Sequence, residues 1–443
     1  MSKVAVFVSD LHLGRGDELE DFAPENEAAF VEFLRRQSDK YMGQEIDLVL
    51  LGDSFDIWQV AADQEKTALE SKDIEIALTE SVERDRVQQV LSRHASTFGA
   101  LGRFLKADAK KRRTVIVPGN HDHSLVRPDI QRVIREAIAA EDVGVRDRVL
   151  FPYYYDEPDL GTYAEHGNQY DVNNAYEDFS AFGPECPGYY FVRLFWNRLE
   201  PKEPNADVWL DSFRAIWQQK LWGLLPLALR FFRQYRSDPR SFERIDVPGV
   251  PFFPADGQPV SAPVTGKPLP ESPDILISDS EDLERIFSTD DATESRLRAL
   301  YHEPGNEEFK KVVDEILNEK FHGQLPEVPS EPVPSVPEFG ILQDEYITAI
   351  GRMFAPPGQS PPRVQPMCGH ALTIGKCNYV LFGHTHDEKK KKLTDLNVTY
   401  LNTGSWSARR DPEGKNVSRL CYVTINKESD GTVNALQDYW VLS

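Results

Sequence analysis

Three short apolar runs limit what this chain can fold into: KVAVFV at 3–8, IDLVLL at 46–51 and TVIV at 114–117. Each is rich in β-branched residues and stops abruptly, the first two at an aspartate-bearing turn and the third at Pro118-Gly119. Runs this short and continuously apolar read as strands of a sheet covered on both faces. Between them, ENEAAFVEFLRRQSDK (near 25–40) and a stretch at about 81–109 carry apolar residues at three- and four-residue spacing, which predicts amphipathic helices. Alternating strand and helix gives an α/β layered fold, in which functional loops gather at the carboxyl ends of the strands. A further strand pair is expected at 148–153 and 161–166, and more strands at 379–382, 398–401, 419–425 and 433–442.

Between these two groups of strands the chain changes character. An aromatic-rich helical region (207–235) is followed by proline-rich stretches at 248–273, 326–337 and 355–366, with short acidic helices predicted near 279–301 and 306–321. Dense proline continues neither a helix nor a central strand, so these pieces read as extended linkers. The expected organisation is one α/β domain split in sequence. Residues 1–172 form its first part and 367–443 its second, and an inserted cap at 173–366 carries substrate specificity.

The formal charge of −22 over 443 residues argues against a surface built to hold nucleic-acid phosphates. The opening MSKVAVFVSDLHLG has too short an apolar run for a signal peptide or a membrane span, and a cytoplasmic protein is expected. Four cysteines, Cys186, Cys368, Cys377 and Cys421, lack the spacing of a disulfide framework or a zinc knuckle.

The predicted strand ends carry metal-capable side chains. VSDLHLG offers Asp10 and His12, LLGDSFD offers Asp53, VPGNHDH offers Asn120, YAEHGNQYD offers His166, and LFGHTHDE offers His384 and His386. Gly52, Gly119, Gly167 and Gly383 suit tight turns that bring backbone close to a small site. Oxygen and imidazole donors without thiolate suit Mn²⁺, Fe or Zn²⁺ better than a structural zinc site, with manganese favoured. Asp56 suits either a turn or the support of a neighbouring ligand. His94, His302, His322 and His370 carry no expected role.

The ordered series D-x-H, G-D, G-N-H-D, H and G-H-T-H resembles that of the calcineurin-like metallophosphoesterases, over about 1–172 and 367–443. The resemblance implies a two-sheet α/β sandwich around two divalent metal ions. Asp10, His12, Asp53 and His386 would hold one metal, and Asn120, His166 and His384 the other, with Asp53 bridging. Two cations about 4 Å apart suit in-line attack of a shared hydroxide on phosphorus. His121 would then stabilise the transition state and protonate the leaving oxygen, with Asp122 orienting its ring. Arg15 and His123, beside the motifs, are candidates to reach a substrate phosphate.

The substrate is less constrained. Protein phosphatases of this superfamily usually carry Arg-Gly where this chain has Ile57-Trp58. GDSFDIW with SDLHLG looks more like the group containing the UDP-2,3-diacylglucosamine hydrolases. Those enzymes typically have arginine where this chain has His121, and aspartate where it has Asn168. A small or lipid-linked phosphomonoester, phosphodiester or pyrophosphate is expected, with peripheral membrane contact through the cap as a further expectation. The DNA-repair nucleases of the superfamily share several motifs, but the net charge opposes that reading; a non-catalytic scaffold of the same fold is the other alternative. The run Lys389–Lys392 reads as a solvated hairpin tip.

Overall fold

The computed structural model describes residues 3–60, 80–108, 111–140, 142–171, 340–354, 366–408 and 415–441, with isolated positions between 174 and 197. The aromatic, proline-rich and acidic stretches expected to form most of the cap lie outside these residues.

The described chain is α/β and contains two mixed sheets. In the six-stranded sheet the order is β11-β10-β1-β2-β3-β4. Its members are β1 (Lys3–Val8), β2 (Glu45–Leu51), β3 (Arg112–Val117), β4 (Val149–Leu150), β10 (Leu420–Lys427) and β11 (Val433–Trp440). Strands β1 to β4 run parallel, whereas β10 pairs antiparallel with β1, and β11 with β10. The five-stranded sheet has the order β5-β6-β7-β9-β8, from β5 (Tyr155–Glu157), β6 (Thr162–Ala164), β7 (Tyr379–Phe382), β8 (Lys389–Leu393) and β9 (Val398–Asn402). Its three inner strands are parallel and its two edges antiparallel.

Strand alternation divides the core. Val4, Val6 and Val8 of β1 pack with helix residues such as Phe30, Phe33, Phe98 and Ile134, while Ala5 and Phe7 face Leu381 and Leu401 of the other sheet. The first sheet is thus apolar on both faces, as its uninterrupted runs require. Its outer face is covered by α1 (Pro24–Lys40), α2 (Glu80–Arg93), α3 (Ala95–Ala107) and α4 (Pro128–Ala139); a single turn, α5 (Val143–Arg146), follows. A last helix, α6 (Gly340–Met353), lays Tyr346, Ile350 and Met353 against Tyr163, Val380 and Phe382 of the second sheet. It falls inside the stretch expected to be inserted, yet it supplies core to that sheet.

The structure differs from the sequence expectations in three places. The pair expected at 148–153 and 161–166 is divided: β4 extends the first sheet, and β6 pairs with β5 instead. The helix expected at about 81–109 is two helices meeting at His94. The lysine run Lys389–Lys392 belongs to β8, at the edge of the five-stranded sheet, antiparallel to β9. Lysines on an edge strand keep its unpaired side hydrated and discourage another strand from adding to it.

Candidate metal centre

The loops that follow β1, β2, β3, β6, β7 and β9 converge at the carboxyl ends of these parallel strands, as topology demands of an α/β core. Asp10 and His12 come from the first, Asp53 and Asp56 from the second, Asn120 and His121 from the third, His166 from the fourth, and His384 and His386 from the fifth. Asp10, Asp53, Asn120, His12 and His166 are all at most 2% exposed.

The backbone at these positions is unusual. Six non-glycine residues among those described have positive φ, and five of them are Asp10 (52°), His12 (53°), Asp53 (47°), His384 (70°) and His386 (56°). Left-handed backbone is disfavoured for residues with a Cβ and persists where surrounding structure imposes it. That structure is visible at Asp10, whose carbonyl accepts Trp406 N at 3.0 Å, Ser407 N at 3.1 Å and Ser405 Oγ at 3.0 Å. The loop after β9, NTGSWS, gave no sign of function in sequence except a run of small polar residues after an apolar strand. It anchors Asp10 and, through Asn402 Nδ2 to Gly383 O (2.7 Å), the loop bearing His384. At Gly52, φ is +86° and a Cβ would lie 2.1 Å from His166 Nδ1, so only glycine lets the β2 loop pass so close to that ring.

Three groups of donor atoms among the described residues could hold a metal ion; one is His12 with Asp56 and His121, and the other two are Asp10 with His12 and His386, and Asp53 with His166 and His384; within each, the atoms lie within 4.8 Å of one another. Asp53 Oδ2 stands 3.0 Å from His166 Nε2 and 4.0 Å from His12 Nε2, so one carboxylate faces both of the latter groups. His386 Nε2 lies 3.4 Å from Asp10 Oδ1 and 3.1 Å from His12 Nε2. Asp10 Oδ1, Asn120 Oδ1 and His166 Nε2 are buried without a hydrogen bond, and the 3.0 Å approach to Asp53 does not provide one for His166. Buried polar atoms are normally satisfied, and carboxylate, amide and imidazole donors left over in one place fit a hard or borderline divalent cation.

Charge is balanced within the cluster. Burial opposes ionisation of Asp10 and Asp53, yet His386 and His166 hold Asp10 below the usual carboxylate range, and His166 and His121 hold Asp53 well below it. Burial likewise disfavours charge on His12, His121 and His166. Neighbouring carboxylates outweigh it and raise all three, His166 to about 9. At His12 and His166, bound cations would take the place of those protons.

His121 sits at the edge of the cluster, its side chain 18% exposed, and its Nδ1 is 2.9 Å from Asp56 Oδ1. Asp56, not Asp122, therefore orients the ring. Asp122 instead accepts the backbone N–H groups of Gly119 (2.6 Å), Ser54 (2.8 Å) and Phe55 (3.2 Å), tying the β2 and β3 loops together. Burial, with Asp53 close by, pushes its carboxyl up to about 7.

Two expected substrate residues are not brought to the cluster. Arg15 pairs with Asp17 in its own loop. His123 opens the short helical turn His123–Val126, which carries it under the surface, where it stacks on Tyr176 at 3.9 Å and its Nε2 lies 2.9 Å from Phe179 O. Burial lowers its pKa to about 4, so the ring is neutral and donates to that carbonyl. Sequence reasoning missed Asp171, whose Oδ2 is 3.0 Å from His384 Nε2, and Asn174, which bonds Asp171 at 2.7 Å and accepts from Asn120 Nδ2 at 3.3 Å. Asp171 closes the YAEHGNQYD stretch that was singled out only for His166, and Asn174 lies three residues beyond it, in a polar stretch that no expected element marked.

Among the described residues no helix is long and apolar enough to cross a membrane. Compared with known proteins, the chain matches no family model and no curated protein.

Proposed function

We propose that this chain is a metal-dependent phosphoester hydrolase of the calcineurin-like metallophosphoesterase type, acting on a small or lipid-linked phosphomonoester, phosphodiester or pyrophosphate. One observation carries the reading: the residues of the ordered motif series meet in two Asp/His groups with Asp53 facing both, although more than two hundred residues separate His166 from His384 in the chain. Scattered polar residues of a merely structural kind have no reason to converge with unsatisfied donor atoms.

Asp10, His12, Asp53 and His386 would hold one divalent cation, and Asp53, Asn120, His166 and His384 a second, manganese being favoured. When bound, such a pair supplies Lewis acidity toward the phosphoryl oxygens and lowers the pKa of water. The protein's own contribution is geometric. Asp56 fixes His121 through Nδ1, which leaves Nε2 as the proton donor toward a leaving oxygen. The retained donors and His121 oppose a non-catalytic scaffold, and the charge of −22 opposes a nuclease.

The test uses purified protein with Mn²⁺ and two substrates, p-nitrophenyl phosphate and bis-p-nitrophenyl phosphate, alongside elemental analysis. Hydrolysis of either ester, with both metal and activity lost in Asp53→Ala, is expected. No hydrolysis, together with unchanged metal content in Asp53→Ala, would overturn the reading.

A further inference from the structure

His121 is held from two sides. Asp56 takes its Nδ1 edge, and the indole of Trp58 lies flat beneath the ring, with centroids 4.1 Å apart and planes at 26°. Trp58 is only 3% exposed, so it is no open platform for a substrate, and its position decides where the imidazole rests.

What fixes Trp58 lies far along the chain, beyond residue 172. Arg193 Nη1 donates to Trp58 O at 3.1 Å and to Val60 O at 3.0 Å, and Asn197 Nδ2 donates to Trp58 O at 3.2 Å. The two donors together use both lone pairs of that carbonyl. Tyr189 meets the indole edge to face at 5.9 Å, and Val192 packs in the same cluster. Arg193 and Asn197 are 1% and 0% exposed.

Burying a guanidinium and an amide is costly unless their hydrogen bonds return something. Asn197 is informative here, because its Oδ1 is buried without a hydrogen bond while its Nδ2 reaches Trp58. An amide with one half left unsatisfied is retained for the other half.

We propose that Arg193 and Asn197 are positioning residues for His121. By clamping the Trp58 main chain they hold the indole against the imidazole, so the start of the inserted segment is a working part of the site and not only a wall around it. This inference rests on the proposed role of His121 as proton donor, but its geometry can be tested apart from that role.

Asn197→Leu is close to isosteric and removes the unsatisfied acceptor together with the donor, so the fold should survive it. Arg193→Leu is the stronger lesion; should it fail to fold, Asn197→Leu decides. The first readout is the rate of carbethoxylation of His121 by diethyl pyrocarbonate, followed by peptide mass spectrometry in the full chain. Fully buried His94 is the internal reference for global loosening. His121 should react about threefold faster or more in the variant while His94 stays unchanged.

The second readout is the leaving-group dependence of kcat in the Mn²⁺-loaded protein. A misplaced proton donor harms esters of aliphatic alcohols, which leave poorly, more than p-nitrophenyl esters, which need little protonation. We expect kcat to fall about tenfold for the former and about twofold or less for the latter, with KM unchanged. Equal loss on both esters, unchanged His121 reactivity, or a joint rise at His121 and His94 would each overturn the proposal. If the wild type hydrolyses neither ester while His121 is selectively loosened, the positioning role stands and the hydrolase reading falls.

Discussion

His12 and His121 meet edge to face at 4.7 Å because one carboxylate serves both: Asp56 Oδ2 is 3.2 Å from His12 Nδ1, and Asp56 Oδ1 is 2.9 Å from His121 Nδ1. A candidate metal ligand and a candidate proton donor are therefore oriented by the two oxygens of a single, fully buried side chain.

Replacing Asp56 should disturb both partners at once. In Asp56→Asn one oxygen becomes an NH₂ group, which cannot accept from an imidazole N–H. Metal affinity should fall about 10- to 100-fold and kcat by about 100-fold. Calorimetric metal titration and steady-state kinetics check this; a variant with normal metal affinity and normal kcat would remove Asp56 from the site.

Metal binding should tighten as pH rises. Neighbouring carboxylates raise His12 and His166 against the effect of burial, His166 to about 9, and an imidazole must lose its proton to ligate. Protons are therefore released on binding below about pH 9, and the release shrinks as pH passes through that value. Calorimetry in buffers of different ionisation enthalpy counts them. Zero release near pH 7 contradicts the argument.

Gly52→Ala places a methyl 2.1 Å from His166 Nδ1 on backbone with φ of +86°. Strain of about 1–3 kcal/mol is expected, with the His166 ring displaced. Urea unfolding should show the lower stability, and elemental analysis a loss of metal; wild-type values in both would mean that the loop yields at no cost.

The contact between His94 and Glu27 gives stability its own pH window. Burial works against charge on both, but Glu20 and Glu27 raise His94, and the His94 imidazole 3.3 Å away, together with hydrogen bonds from Ser96 and Thr97, lowers Glu27 from 4.5 to about 2. The raised histidine contributes fully below its unfolded value of 6.5 and loses this as pH climbs through its folded value. The depressed glutamate contributes fully above 4.5 and loses this as pH falls toward about 2. The pair should be strongest between these limits. In His94→Gln, chemical denaturation across pH should show a flatter alkaline limb; an unchanged limb refutes the assignment.

Much of the site was legible because its residues are chemically odd where they stand. A buried strand such as KVAVFV that runs straight into Asp10 and His12 announces a function, and the same holds for Asp53 and His384. The supporting residues were hidden for an equally physical reason. Asp171, Asn174 and the loop at 403–407 act through tertiary apposition, and as sequence they are ordinary turn formers. Trp58 was noted only as a departure from protein phosphatases, since nothing local shows that an imidazole rests on it. The β8 lysines misled because lysine is rare in strands that are paired on both sides, and an edge strand escapes that restriction. Asp122 was expected to orient His121 because it is next to it in sequence, but the folded loops bring Asp56, from the β2 loop, to the imidazole instead.

The pairing of β1 with β10 puts Val4 beside Asn426 and Phe7 beside Val423. A ribosome adding about 5–20 residues per second needs on the order of 20–80 s to travel between those positions. For all that time the first strand has one edge bare, and His384 and His386 do not yet exist for most of it. The centre is consequently a late product of synthesis. Cations that meet the nascent chain find only part of their donors, and the growing sheet must be shielded from other chains until its last neighbours arrive.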